Sequence, residues 1–128
     1  MLTFIFCIHA EPVKPVIDVP KPGRNISVGD GSPVTMNIAD NVTAALNTNI
    51  TIWCPVSGVP TPAVTWEKDG VLVVDDDDRV SIREDNSLVI TGAEENTEYT
   101  CKVSNVAGKD SLTSIINVIG QYSKAPVY

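Results

Sequence analysis

From about residue 34 onward, apolar and polar positions alternate with a period of two, and turn-favouring residues interrupt them roughly every ten positions. Ile50, Ile52 and Cys54 alternate with Thr51 and Trp53. Val64 and Trp66 alternate with Thr65 and Glu67, Val80 and Ile82 with Ser81, and Leu88 and Ile90 with Val89. Tyr99, Cys101 and Val103 alternate with Thr100 and Lys102, and Leu112, Ser114, Ile116 and Val118 with Thr113, Ile115 and Asn117. Between these runs lie turn clusters such as Lys68-Asp69-Gly70, Glu84-Asp85-Asn86 and Ala107-Gly108-Lys109. No amphipathic helix of useful length appears. Short strands without helices bury an apolar face only against a second sheet or by closing on themselves, so the pattern predicts an all-β sandwich or barrel.

The chain upstream reads differently. Residues 11–33 hold five of the nine prolines, together with Gly23, Gly29 and Gly31, which predicts an extended arm rather than core. The Gly29-Asp30-Gly31 group lacks the GxGxxG spacing and no helix pattern follows it, so it reads as a turn and not as a phosphate loop. Residues 1–10 are a short apolar run ending in Ala10, consistent with a secretory signal peptide or its remnant; an excerpt of a longer chain is the alternative reading. Residues 120–128 form a tail.

Composition narrows the function. Nine Lys and Arg against 16 Asp and Glu give a net charge of −7 over 128 residues, a surface that repels nucleic acid and anionic membranes. No other stretch is long and apolar enough for a membrane helix, so direct membrane binding is not expected. The single histidine, His9, lies in the terminal apolar run, so most acid–base, nucleophilic and zinc chemistry lacks its usual residue. No catalytic residue, metal ligand or cofactor is expected. The run Asp75-Asp76-Asp77-Asp78 invites a calcium reading, but consecutive acids in one turn rarely converge, and a solvated loop is the preferred reading.

The cysteines Cys7, Cys54 and Cys101 reduce to one pair if the first ten residues are removed, and one pair in a small secreted chain reads as a disulfide. Trp66 follows Cys54 by 12 positions and Cys101 follows it by 47, which places a cysteine in an early strand, a core tryptophan in the next, and a cysteine late. A bridge between sheets, packed against Trp66, satisfies all three placements and selects the sandwich. Closing a loop of that length stabilises by about 4 kcal/mol in the chain-entropy picture.

On these residues, positions 34–119 resemble an immunoglobulin domain of the I-set type. Gly58, Pro60, Pro62, Trp66, Lys68, Asp69 and Gly70 match the run from the B–C turn through strand C; Leu88 and Ile90 match strand E. Tyr99 matches the tyrosine corner two residues before Cys101, and Asn105 and Gly108 match the F–G turn. The family usually carries Asp-x-Gly before the tyrosine, whereas Glu95 and Thr97 stand here, so the resemblance implies a looser E–F corner with Glu95 reaching Arg79. The VTWEKDG segment and the long arm also resemble modules of matrix proteins of the ADAMTS-like, papilin and hemicentin groups. What the resemblance implies is a two-sheet Greek-key sandwich.

Such sandwiches serve mostly in recognition and spacing, so the expected role is a secreted or extracellular, non-enzymatic module that binds a protein partner. A spacer or mechanical module and an ancillary domain of a larger secreted enzyme are the alternatives. Homo-oligomerisation stays open. Strands B and E are expected to turn Thr51, Trp53, Ser87 and Val89 outward, with Trp53 either covered by the folded-back arm or meeting a partner. Three sequons, at Asn25, Asn41 and Asn49, are candidate glycosylation sites. All precede strand C, which predicts that glycans leave the C–F–G sheet free, with Thr65, Glu67, Lys102, Ser104, Thr113 and Ile115 as partner contacts.

Overall fold

The computed structural model describes residues 11–19, 23–74 and 79–120. The signal-like residues 1–10, the acidic run 75–78 and the tail beyond 120 lie outside the described residues. Among the described residues twelve strands follow in order: β1 (Val13–Ile17), β2 (Asn25–Val28), β3 (Val34–Asn37), β4 (Asn41–Ala45), β5 (Thr48–Trp53) and β6 (Val56–Val59), then β7 (Ala63–Lys68), β8 (Val71–Leu72), β9 (Val80–Ile82), β10 (Leu88–Ala93), β11 (Thr97–Asn105) and β12 (Gly108–Ile119). They form a four-stranded sheet ordered β3-β5-β10-β9, a six-stranded sheet ordered β2-β4-β12-β11-β7-β8, and a β1-β6 pair.

The alternation read from the sequence is what allows the two larger sheets to face each other. Ile50, Ile52, Leu88 and Ile90 point inward from one sheet, and Trp66, Tyr99, Cys101, Val103 and Ile116 from the other, all buried. The Cys54–Cys101 disulfide joins the layers across Cα atoms 6.5 Å apart, and Trp66, 1% exposed, sits opposite Cys101 in the β7–β11 register. Burying an indole leaves its N–H in need of an acceptor, and Nε1 donates to the Asn86 carbonyl at 2.8 Å. Ser114 takes an inward position among apolar residues because its hydroxyl accepts the Ala39 N–H at 2.8 Å.

The proline-rich segment is more than an arm. β1 pairs antiparallel with β6, and the register shifts between Val13 and Val16, where Pro15 offers no N–H to the ladder. Ile17 is 5% exposed and belongs to the core. β2 runs parallel to β4, which itself runs parallel to β12, while β3 runs parallel to β5. The N-terminal part of the chain thereby supplies an edge strand of four residues to each larger sheet, and edges this short offer little template for pairing with another chain. Gly58 is required by close approach: a Cβ there would meet Pro62 Cγ at 2.9 Å and Pro15 Cα at 3.1 Å.

The E–F corner also departs from the reading above. Arg79 pairs with Glu94 at 2.8 Å and donates to the Gly92 carbonyl at 2.9 Å, whereas Glu95 lies 3.6 Å from Lys68. Glu94 is the first residue after β10 ends at Ala93, and the Thr91 N–H bonded to the Arg79 carbonyl at 2.7 Å holds that strand end beside the arginine. Thr97, in the place of the family glycine, is buried and closes the corner by donating its hydroxyl to the Glu95 carbonyl at 3.0 Å.

Candidate interaction surface

Pairing of β7, β11 and β12 sets Thr65, Lys102 and Ser111 in one outward row and Ala63, Ser104 and Lys109 in the next. Directly paired residues of antiparallel strands share a face, so hydroxyls and two ammonium groups converge there. They bound an open concavity of about 630 Å³. Lys102 is tied to the half-buried Glu67 at 2.9 Å, and Thr113 shares a hydrogen bond between hydroxyls with Thr100 at 2.8 Å. Thr65, Lys102 and Ser104 therefore come together, while Thr113 and Ile115 continue the same outward row down β12. Lys109 and Ser111 were missed by the sequence reading. Their signal was present, since 109, 111, 113 and 115 keep one period of two.

Two of the three sequons stand on this same sheet, which corrects the expectation that glycans would leave it clear. Asn25 faces Asn41 across the β2–β4 ladder, at the edge beyond β12, because β4 pairs with β12 rather than with β5. Asn41 Oδ1 accepts the Ile115 N–H at 3.1 Å, which leaves its Nδ2 as the atom free to be modified. Asn49 stands on the four-stranded sheet as expected, its Oδ1 accepting the Gly92 N–H at 2.9 Å. Any glycans on Asn25 and Asn41 would crowd Ile115 and leave the end of the face near Thr65, Ser104 and Lys109 clear.

On the four-stranded sheet Trp53 is 49% exposed. The described strands of the proline-rich segment pair elsewhere, β1 with β6 and β2 with β4, and the strand beside Trp53 is β3, whose Asn37 is its register partner. Thr51 and Val89 are half-buried neighbours. Ser87 is not outward as expected but 2% exposed, because its N–H and hydroxyl both donate to Asp85 Oδ1, at 2.9 and 2.6 Å. Those bonds, the hydroxyl first, hold the Asp85 carboxyl below its ordinary pKa.

The N-terminal segment is fixed by polar clips absent from the sequence reading. Asp40, 3% exposed, receives Arg24 Nη2 at 2.7 Å and Nε at 3.3 Å, the Arg24 backbone N–H at 2.8 Å and the Asn37 N–H at 3.0 Å. Burial pushes this carboxyl upward; the Arg24 side-chain and backbone bonds and the Asn37 bond outweigh it and hold the pKa below the usual value. Asn105, read above only as a turn residue, donates to the Val13 carbonyl at 2.8 Å and the Pro60 carbonyl at 3.0 Å, so it ties β1 to the B–C connection. Asp110 Oδ2 accepts the Ile17 N–H at 3.0 Å. Nothing local distinguishes these three from solvated turn residues. Among the described residues, no group of three His, Cys, Asp or Glu side chains is arranged to hold a metal ion, and no helix is long and apolar enough to cross a membrane.

The sequence profile of the Immunoglobulin I-set domain matches residues 24–118, beginning inside the proline-rich segment. The chain is 34% identical over 98 residues to human ADAMTS-like protein 3, covering 75% of this chain and 6% of that protein. It is 34% identical over 88 residues to the titin homolog of Caenorhabditis elegans, covering 66% of this chain and 0% of that protein to the nearest per cent. Its fold resembles that of immunoglobulin domains 1–4 of Sidekick-1, with a TM-score of 0.63 at 18% identity, over 91% of this chain and 25% of that one. The chain thus spans a small fraction of the relatives it matches.

Proposed function

This chain belongs to the immunoglobulin I-set family, and from that premise we propose that it is an extracellular, non-enzymatic recognition module engaging a protein partner through the outward face of β7, β11 and β12. The observation that carries the reading is the open concavity on that face, where Thr65, Lys102 and Ser104 join Lys109 and Ser111 in a cluster of hydrogen-bond and charged groups. Thr113 and Ile115 extend the contact along β12, and Glu67 orients Lys102. The Cys54–Cys101 bridge supports an oxidising compartment, and the similarity to ADAMTS-like protein 3 supports a matrix setting. Asn25, Asn41 and Asn49 then carry N-linked glycans.

Secretion into culture medium, with a mass decrease at these asparagines on enzymatic deglycosylation, checks the compartment. The face is tested by presenting the secreted, multimerised chain to a panel of extracellular proteins. Thr65→Arg combined with Lys102→Glu is expected to weaken capture by tenfold or more, about 1.4 kcal/mol. Capture unchanged by both substitutions rejects this face.

Similarity to the titin homolog supports a second reading, a spacer or mechanical module in which the two cysteines stay reduced. Free thiols at 54 and 101 in natively produced protein, with retention inside the cell, select it over the first.

A further inference from the structure

The Trp53 side of the molecule carries a pocket of its own. Trp53, Cys54 and Pro55, where β5 ends, and Asp85 and Ser87, on the turn from β9 to β10, line a concavity of about 230 Å³. Among the described residues Trp53 is the aromatic left half exposed, on a sheet face whose nearest outward neighbours, Asn37, Thr51 and Val89, are uncharged. Asp85 spends one oxygen, Oδ1, on Ser87, and no ion pair engages its carboxylate among the described residues.

An indole lining the same concavity as a carboxylate with an oxygen to spare makes a wall pair complementary to a cation. The π-cloud attracts positive charge within about 6 Å, an effect that strengthens as water is excluded. The carboxylate supplies charge-assisted hydrogen bonds to the same group. Arginine fits both walls better than lysine, because its planar guanidinium stacks on an aromatic face while its N–H fork meets carboxylate oxygens. Arg83, on the same turn, contributes its field to Asp85 but forms no ion pair with it. The net charge of −7 favours approach of a basic molecule over an acidic one.

We propose that Trp53 and Asp85 form a receptor pocket for an arginine side chain projecting from a basic partner protein. The proposal deepens the recognition reading and rests on it, adding a second contact on the opposite sheet. Asn49 lies four positions before Trp53 on the same outward row, about 13 Å away along the strand, so modification there leaves the pocket mouth open.

The test uses the full chain, isotopically labelled and folded, titrated with acetyl-Gly-Arg-Gly-amide while the Trp53 indole N–H resonance is followed by NMR. The expected result is a saturable shift that is larger for arginine than for the lysine peptide and absent with the glutamate peptide. Asp85→Asn, in bacterially produced chain so that the Asn-Asn-Ser it creates is not glycosylated, keeps an acceptor for Ser87 and is expected to weaken arginine binding about fivefold, as is raising the salt well above 0.15 M. No shift with arginine, or the same shift with glutamate or after Asp85→Asn, overturns the pocket; a lysine response equal to that of arginine overturns the arginine assignment. The two readings fail separately. A null titration beside partner capture that Thr65→Arg with Lys102→Glu weakens tenfold removes the pocket alone, whereas a positive titration beside capture indifferent to Thr65 and Lys102 removes the other face alone.

Discussion

Around Trp66 the two layers are held by apolar burial and one covalent bond; the described residues of the N-terminal segment add polar clips, Asp40 joining Arg24 to Asn37 and Asn105 and Asp110 fastening β1. In the first region nearly all contacts are non-directional, so shape and volume govern. In the second, burial of Ile17, Val34, Met36 and Ile38 is joined by directional bonds to particular groups, and the penalty for losing one of those bonds is an unsatisfied donor or acceptor. This chain therefore has a centre held by volume and an N-terminal edge whose position also depends on a handful of polar atoms.

Breaking the centre should have the largest effect. Trp66→Ala removes a buried indole and is expected to cost about 3–5 kcal/mol. Cys54→Ala with Cys101→Ala should cost about 4 kcal/mol. Denaturant unfolding of both variants checks these values, and a loss below about 1 kcal/mol for either would mean that the centre is not what holds the layers. Breaking the edge should cost less. Asp40→Ala leaves the Asn37 and Arg24 N–H groups without their acceptor and is expected to cost about 1–3 kcal/mol, read by the same measurement.

The two regions should also separate by pH. The Asp40 pKa is depressed in the native state, so its contribution is fully present above the unfolded carboxylate value of about 4 and is lost as pH falls through the lower native value. Thermal midpoints measured from pH 7 down to about 2 should fall more steeply for the parent chain than for Asp40→Asn. Parallel curves would show that the clip contributes nothing to acid sensitivity. A smaller and more local effect is expected from Asn105→Ala. Amide exchange should accelerate in β1 by about tenfold while β11 keeps its protection, and equal acceleration in both would erase the distinction between centre and edge.

The smallest expected effect concerns Trp53. Its indole is already half exposed and β1 lies along β6, so opening the edge by Asn105→Ala should leave its emission maximum unchanged. A red shift would place part of the N-terminal segment over Trp53 after all.

Much of the sandwich was legible before any coordinates. Ile50, Ile52, Leu88, Ile90, Tyr99, Cys101 and Val103 are buried on the positions their alternation selects, because a strand turns successive side chains to opposite faces by local geometry alone. The spacing of Cys54, Trp66 and Cys101 named the cross-brace for the same reason: each sits on a periodic position, and the indole and sulfurs have nowhere else to go. Thr65, Lys102 and Ser104 were legible as outward residues, and Lys109 and Ser111 lay on the continuation of that row.

Other features belonged to the folded chain. Ser87 reads as outward by alternation, yet Asp85 offers two bonds that draw it in. Glu94 and Glu95 are equivalent in the sequence, and only the folded corner gives Arg79 to the first and Lys68 to the second. Proline density hid β1 and β2, because pairing partners 16 or more positions away rescue a segment whose own residues disfavour a strand. Periodicity thus determined which side chains face inward, a property each residue shares with its immediate neighbours. Which polar atoms meet was decided only when strands far apart in sequence were brought within hydrogen-bond distance, since a bond of that kind depends on a distance and an angle that no local pattern records.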